Sequence, residues 1–169
     1  ATYKIYFDKV KPVDDVEAAT EYAIVRFLNK DYSGSLDLVN QILPKAPDEI
    51  SLNRMKFYDL MELEKYPEAN EAVKSFFGKY VDTLYNYNDY KYLASLQTEL
   101  NNEEGAAEAL DKAVKLTPED KGVLFKEYSN QYKKARRYDE AAKAYKIYID
   151  KVKPGSIVEE LAMGRIYFT

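Results

Sequence analysis

The sequence predicts an all-α protein, a superhelix of antiparallel helix pairs repeated along the chain. Three observations carry that expectation. A stretch near the amino end recurs almost intact near the carboxyl end, a shorter period of about 35 residues runs between them, and the apolar spacing fits helices throughout.

Residues 1–12 read ATYKIYFDKVKP and residues 143–154 read KAYKIYIDKVKP, identical at nine of twelve positions. Inside this long repeat, the pattern Tyr, small, apolar recurs as Tyr32, Ser35, Val39, as Tyr66, Ala69, Val73, and as Tyr138, Ala141, Tyr145. Asn102, Ala106 and Leu110 keep the register without the leading Tyr. With Tyr3 added, the anchors fall at 3, 39, 73, 110 and 145, spaced by 36, 34, 37 and 35 residues.

Each repeat reads as two helices. In residues 16–49, Ala19, Tyr22, Ala23, Arg26 and Phe27 follow the spacing of one helix face. Lys30 to Gly34 are expected to break that helix, and a second follows on Leu36, Val39, Ile42 and Leu43, closed by Pro44 and Pro47. Asp14 with Glu17 is expected to open the first helix as a variant capping box. Pro67 suits a first helical turn, where its missing N–H costs nothing. Pro118 and Pro154 end second helices. Residues 1–12 are expected to be the trailing helix of a preceding repeat, 50–83, 87–120 and 122–155 further full repeats, and 157–169 the first helix of a truncated one. Because the chain starts at Ala1 without Met, it is expected to be a piece of a longer array.

Small residues recur where paired helices must approach closely. Ala23, Ala94, Ser129 and Gly164 stand eighth in their repeats, and Ser35, Ala69, Ala106 and Ala141 stand twentieth. Larger residues such as Leu93, Tyr128, Tyr132 and Tyr145 are expected to fill the space around them.

These positions resemble the tetratricopeptide-repeat family over essentially the whole chain, most clearly at Tyr90, Leu93, Ala94, Ala106, Leu110, Ala113 and Pro118. Residues 50–83 depart furthest, with Lys56 and Phe57 where the family has Leu and a small residue. The resemblance implies a right-handed solenoid whose first helices line a concave groove. Mapped onto this sequence, that groove carries Thr20, Ile24 and Phe27, then Arg54, Tyr58 and Met61, then Lys91, Ser95 and Thr98, then Lys126, Asn130 and Lys133. It runs from apolar to basic, which suits a peptide with an apolar part and an acidic end. Some members hold a carboxylate tail in a Lys/Asn clamp. Lys126 and Asn130 match its first pair, but Ala162 stands where the next Asn belongs, which favours ordinary solvated groove residues.

Composition narrows the function classes. The chain has no Cys and no His, and a net charge of -4. Thiol nucleophiles, Cys-ligated metals and the usual near-neutral base are therefore missing. Acidic balance disfavours nucleic acid, and the cluster Lys133 to Arg137 reads best as a helix end where cations meet the dipole. The carboxylate pairs Asp14-Asp15, Glu103-Glu104 and Asp139-Glu140 fall at predicted helix starts. No phosphate loop or metal-ligand spacing occurs, so no enzyme and no cofactor is expected. No apolar run is long enough to insert into a membrane. The seventeen Tyr residues read mainly as core filler, with Tyr58 the one expected to face a partner.

The sequence therefore points to a scaffold that binds a peptide or protein in its groove as part of a larger protein. The alternative is structural support for a catalytic or glycan-binding domain, or self-association through Leu161, Ile166 and Phe168. Composition is compatible with a bacterial cell envelope and with the cytoplasm alike.

Overall fold

The computed structural model describes residues 15–166. The expected trailing helix at 1–12, Asp14 of the expected capping box, and Phe168 lie outside the described residues. Among those described, the chain forms nine α-helices and two short 3-10 turns. They are α1 (Val16–Leu28), α2 (Tyr32–Ile42), α3 (Ile50–Glu62), α4 (Tyr66–Phe77), α5 (Tyr87–Glu99), α6 (Glu103–Leu116), α7 (Leu124–Lys134), α8 (Tyr138–Val152) and α9 (Ile157–Ile166). Contacts divide them into two compact units that part between Tyr80 and Val81. In the amino-terminal unit α1 packs on α2, α2 on α3, and α3 on α4. In the carboxyl-terminal unit α5 packs on α6, α6 on α7, α7 on α8 and α8 on α9.

The paired helices are joined by one turn, built four times. If residues 16, 50, 87 and 122 each count as position 1, then position 15 is Lys30, Glu64, Asn101 and Arg136. All four have positive φ, between 55° and 63°. The next N–H, at position 16, donates back to the carbonyl at position 11 over 2.8–2.9 Å, as in Asp31 to Arg26 and Arg137 to Tyr132. This is a left-handed helix stop that would suit Gly, yet none of the four is Gly. Tyr32, Ser33 and Gly34 belong to the first turn of α2, not to the break, because Asp31 caps that helix by accepting from the Gly34 N–H at 3.0 Å.

Side-chain caps open several of the other helices. Asp15 opens α1 by accepting from the Ala18 N–H at 3.1 Å. Asn86 and Asp89 form a reciprocal capping box on α5, and Asn102 caps α6. Prolines stop two second helices: Pro118 and Pro154 each come two residues after the last helical residue of α6 and α8.

Ala23, Ala94 and Ser129 at position 8, and Ser35, Ala69, Ala106 and Ala141 at position 20, have no exposed surface. With Cβ or hydroxymethyl groups there, two backbones meet at close range. Gly164 is different. A Cβ added to it would meet nothing within 4 Å, because no partner helix packs against that point among the described residues.

Candidate functional site

The first helices place the predicted groove residues on a common register, but burial differs between units. In the amino-terminal unit Thr20 is buried, its hydroxyl donating to the Val16 carbonyl at 2.7 Å. Ile24 and Phe27 are half-buried. Tyr58 and Met61, predicted to face a partner, are each only 8% exposed. Tyr58 lies in an aromatic cluster, with the Phe57 ring 5.7 Å and the Phe27 ring 6.1 Å from its own, and Phe27 also meets Tyr32 edge-on at 5.2 Å. Arg54 is half-buried with its guanidinium 5.7 Å from the Phe76 ring centre.

Position 5 repeats that geometry in the carboxyl-terminal unit. The Lys126 ammonium sits 5.0 Å from the Tyr148 ring centre, and Tyr148 occupies the same register position as Phe76. A cation on a first helix thus rests on a ring of the second helix, an arrangement worth roughly 0.5–2 kcal/mol. Lys126 also lies 3.4 Å from the Glu159 carboxylate of α9. The Tyr145 hydroxyl donates to the other oxygen of Glu159. That bond, joined by the Lys126 charge, holds the Glu159 carboxyl below the usual range. Burial and the same bond push the Tyr145 phenol up. The chain therefore supplies its own anion to Lys126, where the clamp of the resemblance would take one from a ligand. Sequence reasoning missed Glu159, although its place in the first turn of the final helix was legible.

Beside it, α5 and α7 are tied by polar contacts. Lys91 approaches Glu127 at 3.7 Å, and the Gln131 amide donates to the Ser95 hydroxyl at 3.3 Å. Ser95 and Thr98 turn their hydroxyls back onto the α5 carbonyls of Lys91 and Ala94. Asn130 and Lys133 are exposed, and their side chains have neither hydrogen bond nor ion pair among the described residues. They are the predicted residues most open to a partner. Arg136 pairs with Glu103 at 3.3 Å and Arg137 with Glu140, so half of the basic cluster is spent internally.

Among the described residues two carboxyl groups are wholly buried, Asp59 in α3 and Asp89 in α5. Among the described residues no three His, Cys, Asp or Glu side chains stand together as a metal site, and no helix is long and apolar enough to cross a membrane. At the carboxyl end, Leu161 is exposed, whereas Ile166 is 6% exposed and so is not free for the self-contact predicted for it.

No protein-family profile matches the chain, and no curated protein matches it. Solved structures do. The tetratricopeptide-repeat protein YrrB, described as having an unusual peptide-binding site, aligns at a TM-score of 0.73 and 15% identity, over 99% of this chain and 83% of that one. The MamA protein gives 0.69 and 19% over 94% and 83%. TTC0263, a thermophilic repeat protein of Thermus thermophilus, gives 0.68 and 13% over 99% and 88%. Identities this low speak to architecture, and the architecture is plain: the chain has the tetratricopeptide-repeat fold.

Proposed function

We propose that the chain is a protein-interaction scaffold that takes an acidic peptide segment on the first-helix face of its carboxyl-terminal unit. The observation that carries this is the pair Asn130 and Lys133, exposed on α7 without internal partners, next to Lys91 on the neighbouring α5. A free ammonium and a free carboxamide supply what an extended acidic segment needs, a charge partner and a two-way hydrogen-bonding group. Lys91 and Lys126 contribute less than Lys133, being already paired with Glu127 and Glu159. The peptide-binding site named for YrrB supports the class of partner. The alternative roles, support for another domain or self-association, have no comparable observation behind them.

The test is a pull-down from the native host using the 169-residue chain and two charge-reversed variants, Lys91→Glu and Lys133→Glu. A partner retained by the wild type should be lost with Lys133→Glu and weakened with Lys91→Glu. A partner held equally by all three would remove this face from consideration.

A further inference from the structure

The amino-terminal unit contains a cleft of about 670 Å³ between α2, α3 and α4. Its floor is aliphatic, from Leu36, Leu43 and Leu60, and its rim carries Asn40, Lys56 and Lys65. On α3, Lys56 and Leu60 stand roughly 150° around the helix from Arg54, Tyr58 and Met61, at about 100° per residue. The cleft is therefore separate from the groove residues, and it does not rest on the α7 reading.

The same depression exists once more. In the carboxyl-terminal unit Leu93, Gln97, Asn102 and Glu108 line a cleft of about 230 Å³. They occupy the register positions of Lys56, Leu60, Lys65 and Glu71. In the smaller cleft the polar side chains are paired with each other, the Asn102 amide donating to the Gln97 carbonyl oxygen at 2.7 Å. Ligand sites usually measure about 300–1,000 Å³, so only the amino-terminal copy is large enough. It is also the copy in which Lys replaces Leu at position 7.

The charges decide what fits. Lys79, at the edge of the cleft, is neutralised by Asp48 at 2.9 Å, and Glu71 is paired with Lys74 at 2.7 Å. Glu68 sits in the first turn of α4, where the positive helix end offsets its charge. Lys56 and Lys65 have no ion pair among the described residues, and Asn40 makes no hydrogen bond there. Two unmatched ammonium groups over an aliphatic floor, with a free carboxamide beside them, form a complement to one chemistry. The geometry points to a second docking site in this cleft, for an extended peptide segment carrying carboxylates next to aliphatic side chains. Carboxylates meet Lys56 and Lys65, aliphatic groups meet the leucines, and Asn40 pairs with the peptide backbone.

The probe is a fluorescent heptapeptide of alternating Leu and Asp, followed by anisotropy with the full 169-residue chain. Saturable binding is expected, weakened about tenfold or more when Asn replaces Asp in the peptide, because the charge pairing is lost. Lys56→Leu, which installs the residue found at the equivalent position 93, should weaken it about as much, and Lys133→Ala should not. Melting by circular dichroism checks the fold, and if Lys56→Leu fails to fold, the exposed Lys65→Ala carries the comparison. Absence of saturable binding, equal binding of the Asn peptide, or indifference to the cleft variants overturns the proposal. Loss with Lys133→Ala alone also overturns it, while leaving the α7 reading intact.

Discussion

At position 8 the carboxyl-terminal unit carries Ala94 and Ser129, whereas the amino-terminal unit carries Ala23 and then Phe57, and none of the four has exposed surface. A ring replaces a methyl at a helix crossing without being expelled. The neighbouring position shows how. Position 7 is Leu93 in one repeat but Lys56 in the other, and each lines the cleft of its own unit, the smaller one at Leu93 and the larger one at Lys56. Apolar bulk has moved one residue along α3, from position 7 to position 8, where the Phe57 ring meets Phe76 at 6.3 Å and Phe77 at 6.5 Å. The fold constrains the volume of the crossing more tightly than the position that supplies it.

That reading can be broken most sharply at Phe57. Phe57→Ala should cost about 3–5 kcal/mol, the usual range for emptying a buried aromatic site. Urea denaturation gives the loss, and amide exchange should place it in α3 and α4. Combining it with Lys56→Leu restores the arrangement of residues 93 and 94 and should recover part of the stability. If the double variant is no better than Phe57→Ala, bulk has not simply been displaced.

The two buried carboxyls sharpen the contrast further. Asp89 lies at the start of α5, where one oxygen accepts from the Asn86 N–H at 2.8 Å and the helix dipole favours its charge. Asp59 lies near the end of α3, where the dipole opposes it, and neither oxygen has a hydrogen-bond partner. Ser35 is its polar neighbour and favours the ionised form, but its hydroxyl proton is directed to the Ala23 carbonyl at 3.0 Å. Burial, then the charges of Asp31 and Glu62, push the Asp59 carboxyl up from 3.8 to about 7. The folded state thus holds the proton more tightly than the unfolded chain does. Stability should fall as pH rises from about 4 to about 7 and then level off, by an amount on the order of 3–4 kcal/mol. Asp59→Asn should abolish most of that slope and be more stable than wild type at pH 8. Asp89→Ala should act in the opposite sense, costing about 1–2 kcal/mol through its lost cap. Thermal melts across pH separate the two. A wild-type chain with no such slope would show that Asp59 is solvated or paired.

Much of this architecture was legible from the sequence, because helix periodicity, small residues and prolines act locally. Ala69 and Ala106 could be placed at crossings from their spacing alone. Lys56 and Phe57 also announced that one repeat was unusual. What could not be read was the covering of one repeat by another. Tyr58 has groove spacing, yet it is buried, with rings beside it that include Phe27, thirty-one residues earlier. Lys126 has clamp spacing, but Glu159 of a later helix decides its charge. The turn residues gave no warning either, since a left-handed φ at Lys30, Glu64 and Arg136 is imposed by the helix pair and not preferred by those side chains.

The smallest effect concerns position 11, where it meets position 25 of the preceding repeat. In the carboxyl-terminal unit these are Tyr132 and Asp111, and the buried phenol donates to the carboxylate at 2.6 Å. In the amino-terminal unit they are Leu60 and Asn40, which face each other across the open cleft with no hydrogen bond. Tyr132→Phe should cost about 1–2 kcal/mol, by removing a bond to a charged acceptor. Burial and the bond to Asp111 push the phenol far above its ordinary range, so the cost should not change between about pH 6 and 9. The reciprocal change, Leu60→Tyr, gives Asn40 a partner and places a ring where the cleft now lies. It should leave stability within about 1 kcal/mol of wild type while weakening the Leu-Asp probe, since the aromatic ring takes the volume the peptide needs. Undiminished probe binding by Leu60→Tyr would mean that the missing tyrosine is not what keeps this cleft open.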